Sequence, residues 1–185
     1  MKQILISIKP EWVEKILNGE KTLEIRKSAP KELPCEVYIY CTKSGLNIEK
    51  DCGLGFPERI NGKVVARFTL DGVFLIHDFL EGLEATAPTN RHITIYGESE
   101  LLKESCLSKR QIEDYGGVYA WHISNLEILD EPKDLSEFYV TKKYKSCDKC
   151  PHHEYDEGFE HCVTCEEKVP LKRAPQSWCY VEELL

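Results

Sequence analysis

Gly19-Glu20-Lys21-Thr22-Leu23-Glu24-Ile25-Arg26 joins a segment of helical spacing to one of strand spacing. Upstream, Trp12, Val13, Ile16 and Leu17 recur at intervals of one, three and four, so residues 11–17 read as an amphipathic helix. Pro10 suits the first turn of that helix, and Gly19 suits the chain reversal at its end. From Thr22 the pattern alternates. Leu23 and Ile25 point to one face of a strand, and Thr22, Glu24 and Arg26 to the other, with Lys21 at the strand entrance. Two readings of the polar row are open: a solvated charged face, or a hydroxyl, a carboxylate and a guanidinium lining a site. A first strand over residues 4–8, leading to Lys9, sets a further cation beside the row.

A chain of 185 residues holds one compact domain with a real core and a small appendage. No apolar run is long enough to span a bilayer, and no signal peptide is expected, so the protein is read as cytoplasmic. The formal charge of −8 opposes non-specific binding of long duplex DNA, which depends on neutralising phosphates. The charge is uneven, however. Lys2, Lys9, Lys15, Lys21, Arg26, Lys27 and Lys31 outnumber Glu11, Glu14, Glu20 and Glu24 in the same segment. A local positive face on an acidic protein favours a small or short ligand, although basic runs are also ordinary solvated surface.

Beyond the octet, residues 28–34 form a proline-bearing loop, and Val37, Ile39 and Cys41 alternate with Tyr38 and Tyr40 in a strand. That strand ends in Thr42-Lys43-Ser44-Gly45, a loop suited to a phosphate, a base edge or a plain turn. Residues 46–61 read as a long loop, and residues 62–76 as a strong β segment bent or split at Asp71-Gly72. Arg67, within it, belongs either to a wet face or to a polar interior. Leu101, Leu102, Cys106 and Leu107 suggest a short helix, and Ser108 with Gln111 marks the start of another that ends near Gly116. Residues 118–129 form an aromatic strand, in which Tyr119, Trp121 and Ile123 face the core and His122 is a satisfied structural histidine. Trp12 reads as core or lid packing.

Cys147, Cys150, Cys162 and Cys165 form CxxC-x11-CxxC. Two thiolates two residues apart grip one ion, and four suit tetrahedral zinc, so a structural Zn(2+) is expected there. Four thiolates leave no position for water, which excludes catalysis at that metal. Redox cysteines are the alternative, but no thioredoxin-like βαβ pattern surrounds them. The remaining cysteines, at 35, 41, 52, 106 and 179, read as small buried side chains.

The opening ISIKPEWVEKILNGEKTLEIRK resembles the start of an ASCH domain, a branch of the PUA-like superfamily, whose signature GxKxxExR is met by Gly19, Lys21, Glu24 and Arg26. VYIYCTKS, GKVVARFTLDGV, GGVYAWHISNLEIL and APQSWCYVEEL follow in the family's order. The resemblance implies an α+β fold: a PUA-like small β-barrel with flanking helices, over residues 1–140. A zinc-ribbon-like insertion would occupy 141–172, and 173–185 would return to the barrel as its last strand. The signature would line a cleft, with Lys9, Thr42, Lys43, Ser177 and Trp178 beside it. The expected function is recognition of RNA or of a nucleoside or nucleotide, a modified one included. In this reading Lys21 and Arg26 hold a phosphate or base edge, Glu24 accepts a base amine, and Trp178 or Trp121 stacks. The alternative is a hydrolase using Lys21 and Glu24, either a ribonuclease or an amidohydrolase on acylated cytidine. Members resembling the amidohydrolases carry a threonine where this chain has Glu24. A protein partner could dock on the zinc-binding insertion. Replacing Lys21 or Arg26 is expected to remove ligand binding with little effect on unfolding.

Overall fold

The computed structural model describes residues 1–45, 47–51, 57–76, 97–116, 119–144 and 166–183. Among the described residues, ten strands and three α-helices follow in the order β1 (Lys2–Ile8), α1 (Pro10–Leu17), β2 (Leu23–Arg26), β3 (Cys35–Cys41), β4 (Glu49–Asp51), β5 (Pro57–Arg59), β6 (Val64–Leu75), α2 (Gly97–Ser105), α3 (Lys109–Tyr115), β7 (Tyr119–Lys133), a 3-10 turn (Leu135–Glu137), β8 (Phe138–Lys143), β9 (Glu166–Pro170) and β10 (Trp178–Glu183). The class is α+β, as expected. Eight strands share one mixed sheet in the order β2-β7-β6-β3-β1-β10-β8-β9, and β4 pairs with β5 apart from it.

β1 and β3 run parallel, from Lys2↔Cys35 to Ile8↔Cys41. Parallel neighbours need a crossover of a dozen residues or more. Here the crossover contains α1 and the signature strand β2, which leaves the neighbourhood of β1 and pairs with β7 instead. The sheet then curls until β2, at its end, comes back to β1. No backbone ladder joins the two strands; the Arg26 guanidinium spans the gap, donating from Nη2 to the Ser7 carbonyl at 2.7 Å.

Both faces of the central strands are covered. Ile4, Ile6 and Ile8 pack with Val37, Ile39 and Cys41 under Val13 and Ile16 of α1, with Trp121 closing the layer. On the opposite face Leu5, Tyr38, Tyr40 and Val64 meet Phe138 and Val181. A third cluster joins Leu23, Ile25, Phe74 and Ala120 to Leu101 of α2 and Ile112 of α3. Burial of side chains of this size is worth about 1.5–3 kcal/mol each. The short helices are therefore held by packing and not by propensity.

Several expectations are sharpened. The described parts of residues 46–61 include the β4–β5 ladder, so that region is not a bare loop. β6 is one continuous strand, and the bend expected at Asp71-Gly72 is a register shift between Leu70 and Val73 opposite β7. Arg67 lies on the wet face, bonded to Glu127 and Glu36. Cys35 and Cys41 are buried, whereas Cys106 and Cys179 are half-buried. Cys147, Cys150, Cys162 and Cys165 lie outside the described residues. Among the described residues no group of three or more His, Cys, Asp or Glu is arranged to hold a metal ion, and no helix is long and apolar enough to cross a membrane.

Candidate functional site

The signature is brought into place by the end of α1. Asn18 donates to the Glu14 carbonyl, Gly19 adopts a φ of 74°, and the amides of Glu20 and Lys21 both donate to the Lys15 carbonyl. A left-handed φ is routine for glycine and costly for other residues. This reversal feeds Lys21 directly under α1 and into β2. β2 then alternates as the sequence demands, but neither face is wet: Lys21, Glu24 and Arg26 are 2, 7 and 6% exposed.

Glu24 stands between the two cations, with Oε1 3.0 Å from Arg26 Nη2 and Oε2 3.4 Å from Lys21 Nζ. An ammonium has three donors. Those of Lys21 are taken up by the Leu23 carbonyl at 2.7 Å, the Ser105 carbonyl at 2.6 Å and Glu24. Ser105 ends α2, where a helix presents unpaired carbonyls to a cation. The Trp12 ring lies 5.6 Å from the same ammonium. Burial pulls the Lys21 ammonium below its ordinary pKa, and the Glu24 carboxylate opposes that pull. Arg26 differs in one respect. Its Nη2 is bonded to Ser7 and Glu24, but its Nε is buried with no hydrogen-bond partner. Buried donors are almost always satisfied.

These side chains line a cleft of about 800 Å³. Its lining also includes Ser7, Ile8 and Lys9 where β1 meets α1, Tyr40, and the loop Thr42–Ser44 after β3. Opposite them, Leu107, Gln111 and Tyr115 recur every four residues and so share one face of α3 and its approach. Ala174, Pro175 and Gln176 complete the wall. That segment is pinned by Ser7, whose Oγ donates to the Pro175 carbonyl at 2.7 Å and whose amide donates to the Ser177 carbonyl at 2.9 Å. The Thr42–Ser44 loop is anchored by the Thr42 amide on the Ile8 carbonyl at 2.9 Å and by Asn61 Nδ2 on the Thr42 carbonyl at 3.3 Å.

Of the sequence-predicted ligand residues, Lys9, Lys21, Glu24, Arg26, Thr42 and Lys43 all line this cleft. Ser177 and Trp178 do not. Ser177 acts through its backbone on Ser7, and the Trp178 ring packs 5.5 Å from Trp121 while its Nε1 donates to Ser28 Oγ at 3.0 Å. Trp121 is likewise occupied, fully buried with Nε1 donating to the Ser28 carbonyl at 3.2 Å, so neither indole is free to stack on a base. Trp12, Tyr40 and Tyr115 are the aromatic residues on the lining. His122 is bonded through Nδ1 to Asp71 at 2.8 Å, in keeping with a structural role. Gln111 and Tyr115 were not anticipated, although the four-residue spacing from Leu107 was a readable signal. Burial and backbone bonding argue against the expectation that Lys21 and Arg26 can be truncated at little cost: both are buried and bonded to the backbone of β1, β2 or α2.

No curated protein matches the chain. A crystal structure of ASCH from Zymomonas mobilis superposes with a TM-score of 0.53 at 16% identity, covering 98% of this chain and 88% of that one. Two substituted forms of a Zymomonas mobilis ASCH protein superpose at 0.44 with 19% identity, covering 73 and 72% of this chain and 77 and 75% of theirs. The family profile of the ASCH domain matches residues 6–168, most of the chain, from the end of β1 into β9. The chain belongs to the ASCH domain family, a PUA-like fold generally associated with RNA binding.

Proposed function

We propose that the cleft binds a nucleotide unit, free or within single-stranded RNA, against the buried row Lys21, Glu24 and Arg26. The observation that carries this reading is that Lys21, Glu24 and Arg26 line one cleft together with Lys9, Thr42 and Lys43. Guanidinium groups are suited to phosphate and base-edge acceptors. Volume and lining support the reading further. About 800 Å³ falls in the range of small-ligand clefts, and Trp12, Tyr40 and Tyr115 supply rings for a base. The test is calorimetric titration with ribonucleotides and short single-stranded RNA, comparing wild type with Arg26→Lys, which keeps the charge and loses the guanidinium. Affinity is expected to fall about tenfold, the worth of a charge-assisted hydrogen bond. Unchanged affinity would remove the cleft floor from the binding site.

A second reading, hydrolysis, is favoured by the lowered pKa of Lys21 beside the Glu24 carboxylate, a pairing suited to proton transfer. Two facts weigh against it: the Lys21 donors are already engaged, and Glu24 takes the place of the threonine in amidohydrolase-like members. Cytidine released from acylated cytidines, or cleavage of single-stranded RNA, would establish it if Lys21→Met abolished the activity.

The zinc site is part of the same proposal. Cys147, Cys150, Cys162 and Cys165 hold one structural Zn(2+). In support, β8 and β9 pair as far as Lys143↔Glu166, bringing the two ends of the cysteine-bearing segment side by side. Elemental analysis of purified protein should find one zinc per chain, and Cys150→Ser should lose it; wild-type protein folded without metal would end the assignment.

A further inference from the structure

Among the described residues, four cationic side chains, Lys9, Lys21, Arg26 and Lys43, line the cleft against one carboxylate, Glu24, in a chain of formal charge −8. Lys21 and Arg26 share that carboxylate. Lys9 and Lys43 share none: among the described residues neither forms an ion pair, whereas Lys63, Lys109, Lys143 and Lys168 each have a carboxylate partner. Glu11 lies against Gly45, with Oε2 3.3 Å from where a β-carbon on that glycine would stand, and is not among the lining residues. On either side of Lys43 in the chain, Thr42 and Ser44 bring Oγ1 and Oγ within 3.1 Å of each other. Two hydroxyls carry two protons and their mutual bond uses one, so one O–H is left to donate outward. Lys43 is laid across Gly62, where a β-carbon would stand only 2.7 Å from its Cε.

Resting on the nucleotide reading above, we propose that Lys9, Lys43 and the Thr42/Ser44 hydroxyl pair form a phosphate subsite at the cleft mouth, so that the ligand is a phosphate-bearing nucleotide and not a neutral nucleoside. The phosphate comes either from a free nucleotide or from an RNA backbone. Its charge would offset the local cationic excess, and its oxygens would accept from both ammonium groups and the spare hydroxyl.

The 185-residue chain is titrated with the four ribonucleosides, their 5′- and 3′-monophosphates, inorganic phosphate and a short mixed-sequence oligoribonucleotide. Monophosphates should bind about tenfold or more tighter than nucleosides, with the advantage shrinking as salt is added. In the exposed double variant K9Q/K43Q that ratio should fall to about threefold or less, with nucleoside affinity unchanged. Much tighter binding of the oligonucleotide than of any monophosphate identifies the source as RNA; equal binding identifies a free nucleotide. Equal affinity for nucleosides and monophosphates in the wild type, or a ratio that survives the double substitution, overturns the subsite while leaving the base-binding floor intact. Failure of every probe to bind overturns both.

Discussion

Glu24 lies 3.0 Å from one buried cation and 3.4 Å from another, and among the described residues it is the only acidic side chain on the cleft lining. Removing one member of a buried ion pair leaves an uncompensated charge, at a cost of roughly 3–5 kcal/mol. Glu24→Gln is therefore expected to destabilise the protein by about that amount in urea unfolding. A loss below about 1 kcal/mol would mean that water reaches the pair and screens it. The same substitution should lower the Lys21 pKa further, because the carboxylate is the influence that opposes burial there. Much of this was readable from the sequence: the residue types, their spacing and their common strand face. What was not readable was that both faces of β2 would be covered, which converts a solvated row into a buried one.

At the scale of the element, α3 is seven residues long and cannot be helical alone. Ser108 Oγ accepts from the Gln111 amide, and the Gln111 side chain accepts from the Ser108 amide at 2.9 Å. Leu107 and Ile112 pack in the same cluster on either side of that cap, a hydrophobic staple. Gly116 ends the helix at φ 63°. Ser108→Ala should cost about 1 kcal/mol of global stability. Because Gln111 and Tyr115 wall the cleft from this helix, the same variant should raise amide exchange across residues 109–115 and weaken ligand binding. Ligand binding unaffected by a frayed α3 would show that this wall makes no contact with the ligand. The capping box was legible from Ser108 and Gln111 alone. Which way the helix turned its Leu107–Gln111–Tyr115 face was not, since that depends on Ile112 finding the cluster around Leu23 and Phe74.

Across the whole molecule, the last strand locks the first. Gln3 pairs with Val181, and the Glu183 amide donates to Gln3 Oε1 at 2.9 Å. Glu183 also accepts from Tyr38 Oη at 2.5 Å and forms an ion pair with Lys133, so one carboxylate joins β3, β7 and β10. Burial alone would raise the Glu183 pKa, but the hydrogen bonds from Lys133 and Tyr38 outweigh it and hold it below the ordinary 4.5. A carboxyl whose pKa is lower in the folded state stabilises fully above its unfolded value, and that contribution is lost as pH falls through the folded value. Thermal unfolding of the wild type should therefore fall away more steeply than that of Glu183→Gln as pH drops below about 4.5, although the variant starts lower at neutral pH. Parallel curves for the two proteins would place the acid sensitivity elsewhere.

Periodicity and punctuation located β1, β2, β3, β6, β7 and the three helices, because each depends on a few neighbouring side chains; the family resemblance implied the class and six of the cleft residues, and β4, β5, β8 and β9 were not legible. Long-range closure decided the remainder. Ser177 and Trp178 have the chemistry of a binding wall, yet the bonds from Ser7 and Ser28 turn the first into a backbone anchor and the second into packing. Lys21 and Arg26 have the chemistry of free cations, yet the carbonyls of Leu23, Ser105 and Ser7 fix them in place. Those carbonyls lie as far as 84 residues away in the chain, and no local pattern records which of them a folded sheet will bring within reach.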